Sequence, residues 1–123
     1  MEERKRILLV DDEPDLVQLV TVRLKSVGYD VEPAYDGQQA LDKFKSFKPH
    51  LVILDLMLPK LDGYKVCRLL KFDERTKEIP VLIFTARAQE ADVSLAMECG
   101  ANAHLTKPFD TKALLDKLRE LLC

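Results

Sequence analysis

Cysteine is scarce and poorly arranged for cross-linking, with only Cys67, Cys99 and Cys123, all far apart. An odd, widely spaced set supports neither a disulfide framework nor a zinc motif, which leaves packing in a reduced compartment as its role. Cationic charge is not in excess either. The formal net charge is −2, whereas a nucleic-acid surface needs a clustered surplus of Lys and Arg. The one basic cluster, Arg4 to Arg6, reads as solvated. Long apolar runs are missing too: the run after the first basic residues, Ile7 to Val10, stops at two aspartates and is too short for a signal peptide. Together these absences point to a cytoplasmic protein that contacts neither membrane nor nucleic acid directly.

What is present is ordinary for one globular unit. A chain of 123 residues with 47% hydrophobic and 33% charged residues can bury a real core, and no linker, repeat or low-complexity stretch divides it. The expected organisation is a single domain over residues 1–123.

Three short runs, Ile7-Leu8-Leu9-Val10, Leu51-Val52-Ile53-Leu54 and Val81-Leu82-Ile83-Phe84, show no polar alternation. Strands buried on both faces have that character. Weaker strands fit Asp30 to Ala34 and Asn102 to Leu105. Between them lie stripes of helical period. Leu16, Val20, Leu24 and Val27 mark a first helix that Gly28 can end in a left-handed cap. Ala40, Leu41, Phe44 and Phe47 mark a second, stopped before Pro49, and Val66, Leu69 and Leu70 a third. Val93, Ala96 and Met97 mark a fourth ending at Gly100, and Leu114, Leu118 and Leu121 a fifth with Asp110 at its N-cap. Strict β-α alternation calls for a parallel sheet covered by helices on both faces, with right-handed crossovers.

In such open sheets ligands bind outside the carboxyl ends of the strands. Those ends carry Asp11 and Asp12, Asp55, Thr85 and Lys107. Each has a bland reading: Asp11 and Asp12 as caps for the helix opened by Pro14, Asp55 as a turn residue, Thr85 as a cap, Lys107 as a surface charge. Joint placement on one rim argues against five such coincidences. Adjacent carboxylates a few ångströms apart would repel by about 4 kcal/mol at an effective dielectric near 20, so they must protonate or hold a cation. Three carboxylates and one lysine leave a charge of −2 (−3 + 1) at the rim. Oxygen ligands with that residual charge suit a hard divalent ion such as Mg²⁺, with Mn²⁺ able to substitute.

The segments Asp11-Asp12-Glu13, Asp55-Leu56-Met57-Leu58-Pro59-Lys60-Leu61-Asp62-Gly63, Thr85-Ala86-Arg87 and Lys107-Pro108-Phe109 occur in order across almost the whole chain. In this set the chain resembles the receiver (REC) domain of the two-component response-regulator family, which is CheY-like. The resemblance implies a three-layer α/β/α sandwich, a flavodoxin-like (βα)5 unit whose five-stranded parallel sheet runs in the order 2-1-3-4-5. It also implies that Asp55 accepts a phosphoryl group from a sensor histidine kinase or a phosphotransfer protein. Mg²⁺ would be held by Asp12, Asp55 and the backbone carbonyl of Met57, with Asp11 acting partly through water. Lys107 and Thr85 would each bind a phosphoryl oxygen, and Lys107-Pro108 would be the family's cis peptide. Such a protein is a switch that catalyses its own phosphorylation and dephosphorylation rather than an enzyme.

The family's inward-turning aromatic, three positions before the lysine, is His104 here, a smaller ring that can ionise near neutral pH. Its expected rotamer change stands beside the alternative of a surface histidine. Met57 and Arg87 lie two residues beyond Asp55 and Thr85 and should tune the phosphoryl lifetime. His50 is expected to be structural. An output domain or protein should use the face of the fourth helix, fifth strand and fifth helix; the identity of that output and a homodimer both stay open. The rivals are a haloacid-dehalogenase-type phosphatase, which would need a second aspartate where Met57 stands, a flavodoxin-like cofactor binder, which would need a glycine-rich first turn, and a receiver acting only as a scaffold.

Overall fold

The computed structural model describes residues 4–56, 63–85, 94, 97–107 and 110–122, with the backbone alone at Thr85. In chain order the elements are β1 (Arg6–Val10), α1 (Pro14–Ser26), β2 (Asp30–Ala34), α2 (Gly37–Phe47), β3 (Leu51–Asp55), α3 (Gly63–Lys71), β4 (Val81–Thr85), β5 (Ala103–Thr106) and α4 (Thr111–Leu122). The helix expected through Val93 and Ala96 falls mostly outside the described residues, so α4 corresponds to the fifth helix of the sequence reading. All strand pairs are parallel, and the sheet order is β2-β1-β3-β4-β5, as expected.

The unbroken apolar runs are explained by what covers each face. Successive strand side chains point to opposite sides. Leu8, Val10, Val52, Leu54, Val81 and Ile83 pack with Ala40 and Phe44 of α2 and Val66, Cys67 and Leu70 of α3. Ile7, Leu9, Leu51, Ile53, Leu82 and Phe84 pack with Val17, Val20 and Leu24 of α1 and Leu114 and Leu118 of α4. Burying one such side chain contributes about 1.5–3 kcal/mol. Two of the expected stripe positions lie elsewhere. Val27 is the C-cap of α1 and half exposed, and Leu69 is 47% exposed, its place in the core taken by Cys67.

The helix ends follow local chemistry. Asp36 caps α2 by accepting from the Gln39 amide at 2.8 Å, and Asp110 accepts from the Lys112 amide at 3.0 Å ahead of α4. At the amino end of the sheet His50 is structural, its Nδ1 accepting the Arg6 amide at 2.8 Å. Arg6 is more than a solvated cation: its Nε donates to the carbonyls of Phe47 and Lys48 at 3.1 and 3.0 Å. Those bonds hold an unusual cap. Lys48 ends α2 with φ 51 and ψ 63, the left-handed region that glycine favours, directly before Pro49. Lys48→Gly is therefore expected to raise the unfolding free energy by about 1 kcal/mol. Denaturant unfolding checks this, and a glycine variant less stable than wild type would contradict the assigned strain.

Candidate functional site

The sheet carries its acidic and basic residues to one edge. Asp11 directly follows β1, where its amide donates to the Ala34 carbonyl of β2 at 3.0 Å. Asp55 is the last residue of β3, Thr85 the last of β4, and Lys107 directly follows β5. Gly63 fixes the approach of α3 to this edge. A Cβ there would lie 2.6 Å from the Leu56 Cα and nearer still to the Asp55 carbonyl oxygen, so only glycine lets the helix begin so close to the site.

The Lys107 ammonium sits among three carboxylates. Its Nζ donates to Asp11 Oδ2 at 2.7 Å, to Asp55 Oδ2 at 3.0 Å and to Glu13 Oε1 at 3.3 Å. Asp11 and Asp55 are buried, the lysine side chain is 12% exposed and that of Glu13 is open to solvent. Asp12 is exposed, yet ligand oxygens of Asp11, Asp12 and Asp55 all lie within 4.8 Å of one another. Neither N-terminal aspartate is itself the N-cap of α1, although Asp11 helps hold the helix start as well as lying at the site. The N-cap of α1 is Glu13, which makes no side-chain cap bond, while Asp11 Oδ1 accepts the Glu13 amide at 3.0 Å.

One cation shared by several anions produces unequal effects. For Lys107 burial lowers the pKa, but hydrogen bonds to Asp11 and Asp55 and their charges raise it more, so the ammonium is held above the ordinary lysine value. For Asp11 burial raises the pKa and the charge of Asp55 adds to that, outweighing the Lys107 and Glu13 hydrogen bonds. The lysine collects attraction from both buried aspartates, whereas Asp11 receives only a share of the one cation and is repelled by Asp55. Burial is the first cause of the Asp11 shift, and the count of three aspartates to one lysine leaves the site short of positive charge.

Glu13 is the contact that the sequence did not assign to the site, although it stood in the Asp11-Asp12-Glu13 segment. His104 lies exposed on β5. Met57, Arg87 and Pro108 lie outside the described residues, as does the Thr85 side chain.

Comparison with known proteins agrees with this geometry. The response regulator receiver domain family model matches residues 7–119, and the chain belongs to that family. Among its relatives, the DNA-binding dual master transcriptional regulator RpaA of Synechocystis sp. is 46% identical over 95% of this chain and 48% of its own length. The alkaline phosphatase synthesis transcriptional regulatory protein PhoP of Bacillus subtilis is 42% identical over 96% of this chain and 48% of its own. This chain therefore spans about half the length of the curated relatives it matches. The chemotaxis response regulator CheY4 of Vibrio cholerae superposes with a TM-score of 0.91 at 29% identity, covering 98% of this chain and all of the other (100%). Family membership also removes the phosphatase and cofactor-binder readings.

Removing one negative charge should relieve the imbalance. Asp11→Asn is expected to unfold at a higher temperature than wild type near neutral pH in metal-free buffer. Because the Asp11 carboxyl sits above its usual 3.8, its contribution is fully favourable below that value and is lost as pH rises through the raised pKa. The advantage of the variant should therefore shrink toward acid, as thermal denaturation between about pH 4 and 8 would read. A variant less stable than wild type at neutral pH would refute the assigned excess of negative charge.

Proposed function

We propose that Asp55 accepts a phosphoryl group from a sensor histidine kinase or phosphotransfer protein, in a Mg²⁺-dependent reaction that switches the domain to control an output. The observation that carries this reading is the Lys107 ammonium 3.0 Å from the buried Asp55 carboxylate, within a group of three aspartates. The donor set fits Mg²⁺: all its side-chain atoms are hard oxygens, close enough to share one ion, with charge left over after the lysine is counted. Asp12 and Asp55, with the Met57 carbonyl, would hold the ion, and Asp11 would assist through water. When bound, the ion neutralises charge on the transferring phosphoryl oxygens.

The chain's own groups do the rest. An Asp55 oxygen attacks phosphorus as the bond to the donor's histidine nitrogen breaks, and the imidazole leaves with its electron pair. Lys107, already within reach of Asp55, turns from carboxylate to phosphoryl oxygen as a point charge. Thr85, at the end of the neighbouring strand, supplies a hydroxyl that gains its partner only in the phosphorylated state. Reversing a population from roughly 1:99 to 99:1 takes about 5.5 kcal/mol, more than one hydrogen bond provides, so Lys107 and loop repacking share the work. His104 is the residue expected to change rotamer with Thr85.

The switch would report through the face of β5, α4 and the helix expected through Val93, Ala96 and Met97. Relatives described as transcriptional regulators, and twice as long, support a DNA-binding output outside residues 1–123. No helix among the described residues is long and apolar enough to cross a membrane.

Incubation with acetyl phosphate and Mg²⁺ is expected to add one PO₃ unit to the intact mass, and Asp55→Asn or removal of Mg²⁺ should abolish it. Neither Met57 nor Arg87 can orient an attacking water as a carboxylate or amide would, so the adduct should persist for many minutes. No adduct, or one retained in Asp55→Asn, overturns the assignment; loss within seconds contradicts the assigned lifetime.

A further inference from the structure

The end of the sheet opposite the acidic cluster carries a second surface of contrasting chemistry. The C-terminal end of α2 and the turn after α3 lead into the amino ends of β3 and β4, and between them lies a groove of about 740 Å³. Its floor is carbon: Phe44, Leu70 and Ile79 belong to or pack against the core on that side. Its rim is cationic. Lys45, Lys48 and Arg75 face a single carboxylate, Asp73, for a local charge of +2 (3 − 1) on a protein whose net charge is −2. The Asp73 carboxylate is engaged by Arg75 through Nε at 3.2 Å and the terminal nitrogen at 2.9 Å. Lys45 and Lys48 are exposed and their ammonium groups make no hydrogen bond or ion pair among the described residues.

Two further features separate this groove from an ordinary charged surface. Lys48 occupies the left-handed cap where glycine would be easier, so the fold keeps a side chain there at a conformational cost. The apolar surface also continues beyond the groove. Leu69, Asp73 and Arg75 line both this groove and a neighbouring cleft that reaches Tyr64 and Phe72, and Phe72 is 73% exposed. A small anion would fill one cleft only, whereas an extended chain segment can cross the Leu69 ridge and use both. A second copy of this chain is a poor occupant, because a two-fold contact would set one +2 rim against another.

We propose that this groove docks an acidic peptide segment of a partner protein, seating a large apolar side chain between α2 and α3 and placing carboxylates on Lys45 and Lys48. Apolar anchors in a groove supply affinity, and complementary charge at the rim supplies orientation and choice of partner. The surface lies one strand length, about 13 Å, from Asp55, so docking there leaves the carboxyl edge open.

A soluble peptide of leucine and glutamate is the probe, titrated into the ¹⁵N-labelled protein. Amide shifts are expected on Lys45, Lys48, Leu69 and residues 73–79, with none from the leucine and lysine counterpart. Charge reversal in Lys45→Glu/Lys48→Glu should weaken binding tenfold or more, and Lys48→Gly about threefold, the scale of one exposed ion pair. The glycine variant keeps the test clean, since its fold is expected to be more stable. Shifts scattered over the surface, equal binding of the lysine peptide, or unchanged affinity in Lys48→Gly would overturn the proposal. Decanoate binding as tightly as the peptide would overturn it in favour of a small amphiphile, and concentration-dependent dimerisation blocked by the peptide would overturn it in favour of a second copy.

Discussion

The contact on which the site depends is the Lys107 ammonium lodged between Asp11 and Asp55. Two buried carboxylates at the end of a hydrophobic sheet would not coexist without a cation, because removing charge from water costs several kcal/mol per ion even after relaxation. Lys107 offsets part of that cost, reaching both at 2.7 and 3.0 Å. It cannot offset all of it, and the raised pKa of Asp11 is the sign of what remains. A site with this imbalance favours whatever brings positive charge to the rim, and under the proposed function it would have to rearrange on receiving a dianionic phosphoryl group. In that proposal, binding and switching share one electrostatic origin.

The sheet supplies the placement. Strands β1 and β3 are covered on both faces and flanked by strands on both sides, so their carboxyl ends are rigid supports for side chains that must meet, and the edge strand β5 brings Lys107 to them through its pairing with β4. The two helical layers draw on alternate residues of the same strands. Gly63 extends the constraint to α3, whose first turn presses on the backbone of Asp55 and Leu56.

Much of this was legible in the residues. The three unbroken apolar runs stated two-sided burial, and the residues following them stated the site, since one rim had to receive every strand end. The errors were local and have physical reasons. Val27 kept the helical spacing but fell past the last turn of α1, where Gly28 with φ 100 redirects the chain. Leu69 lost its core place to Cys67 because a thiol packs as a small hydrophobe, and its burial pushes its pKa up to about 11, keeping it neutral. Glu13 could not be assigned from spacing, because its partner Lys107 lies 94 residues away and reaches it only through the fold. The basic groove was invisible for the same reason: Lys45 and Lys48 become a rim only when α3 lies beside α2.

The central claim, that Asp11, Asp12 and Asp55 form one shared cation site beside Lys107, is tested most directly with Mn²⁺, whose unpaired electrons broaden nearby amide signals. Substoichiometric Mn²⁺ should erase the ¹⁵N-amide signals around residues 11–13, 55–56 and 107 while those of Lys45, Lys48 and Leu118 persist. Uniform broadening, or loss centred on any other part of the sheet, would contradict the account.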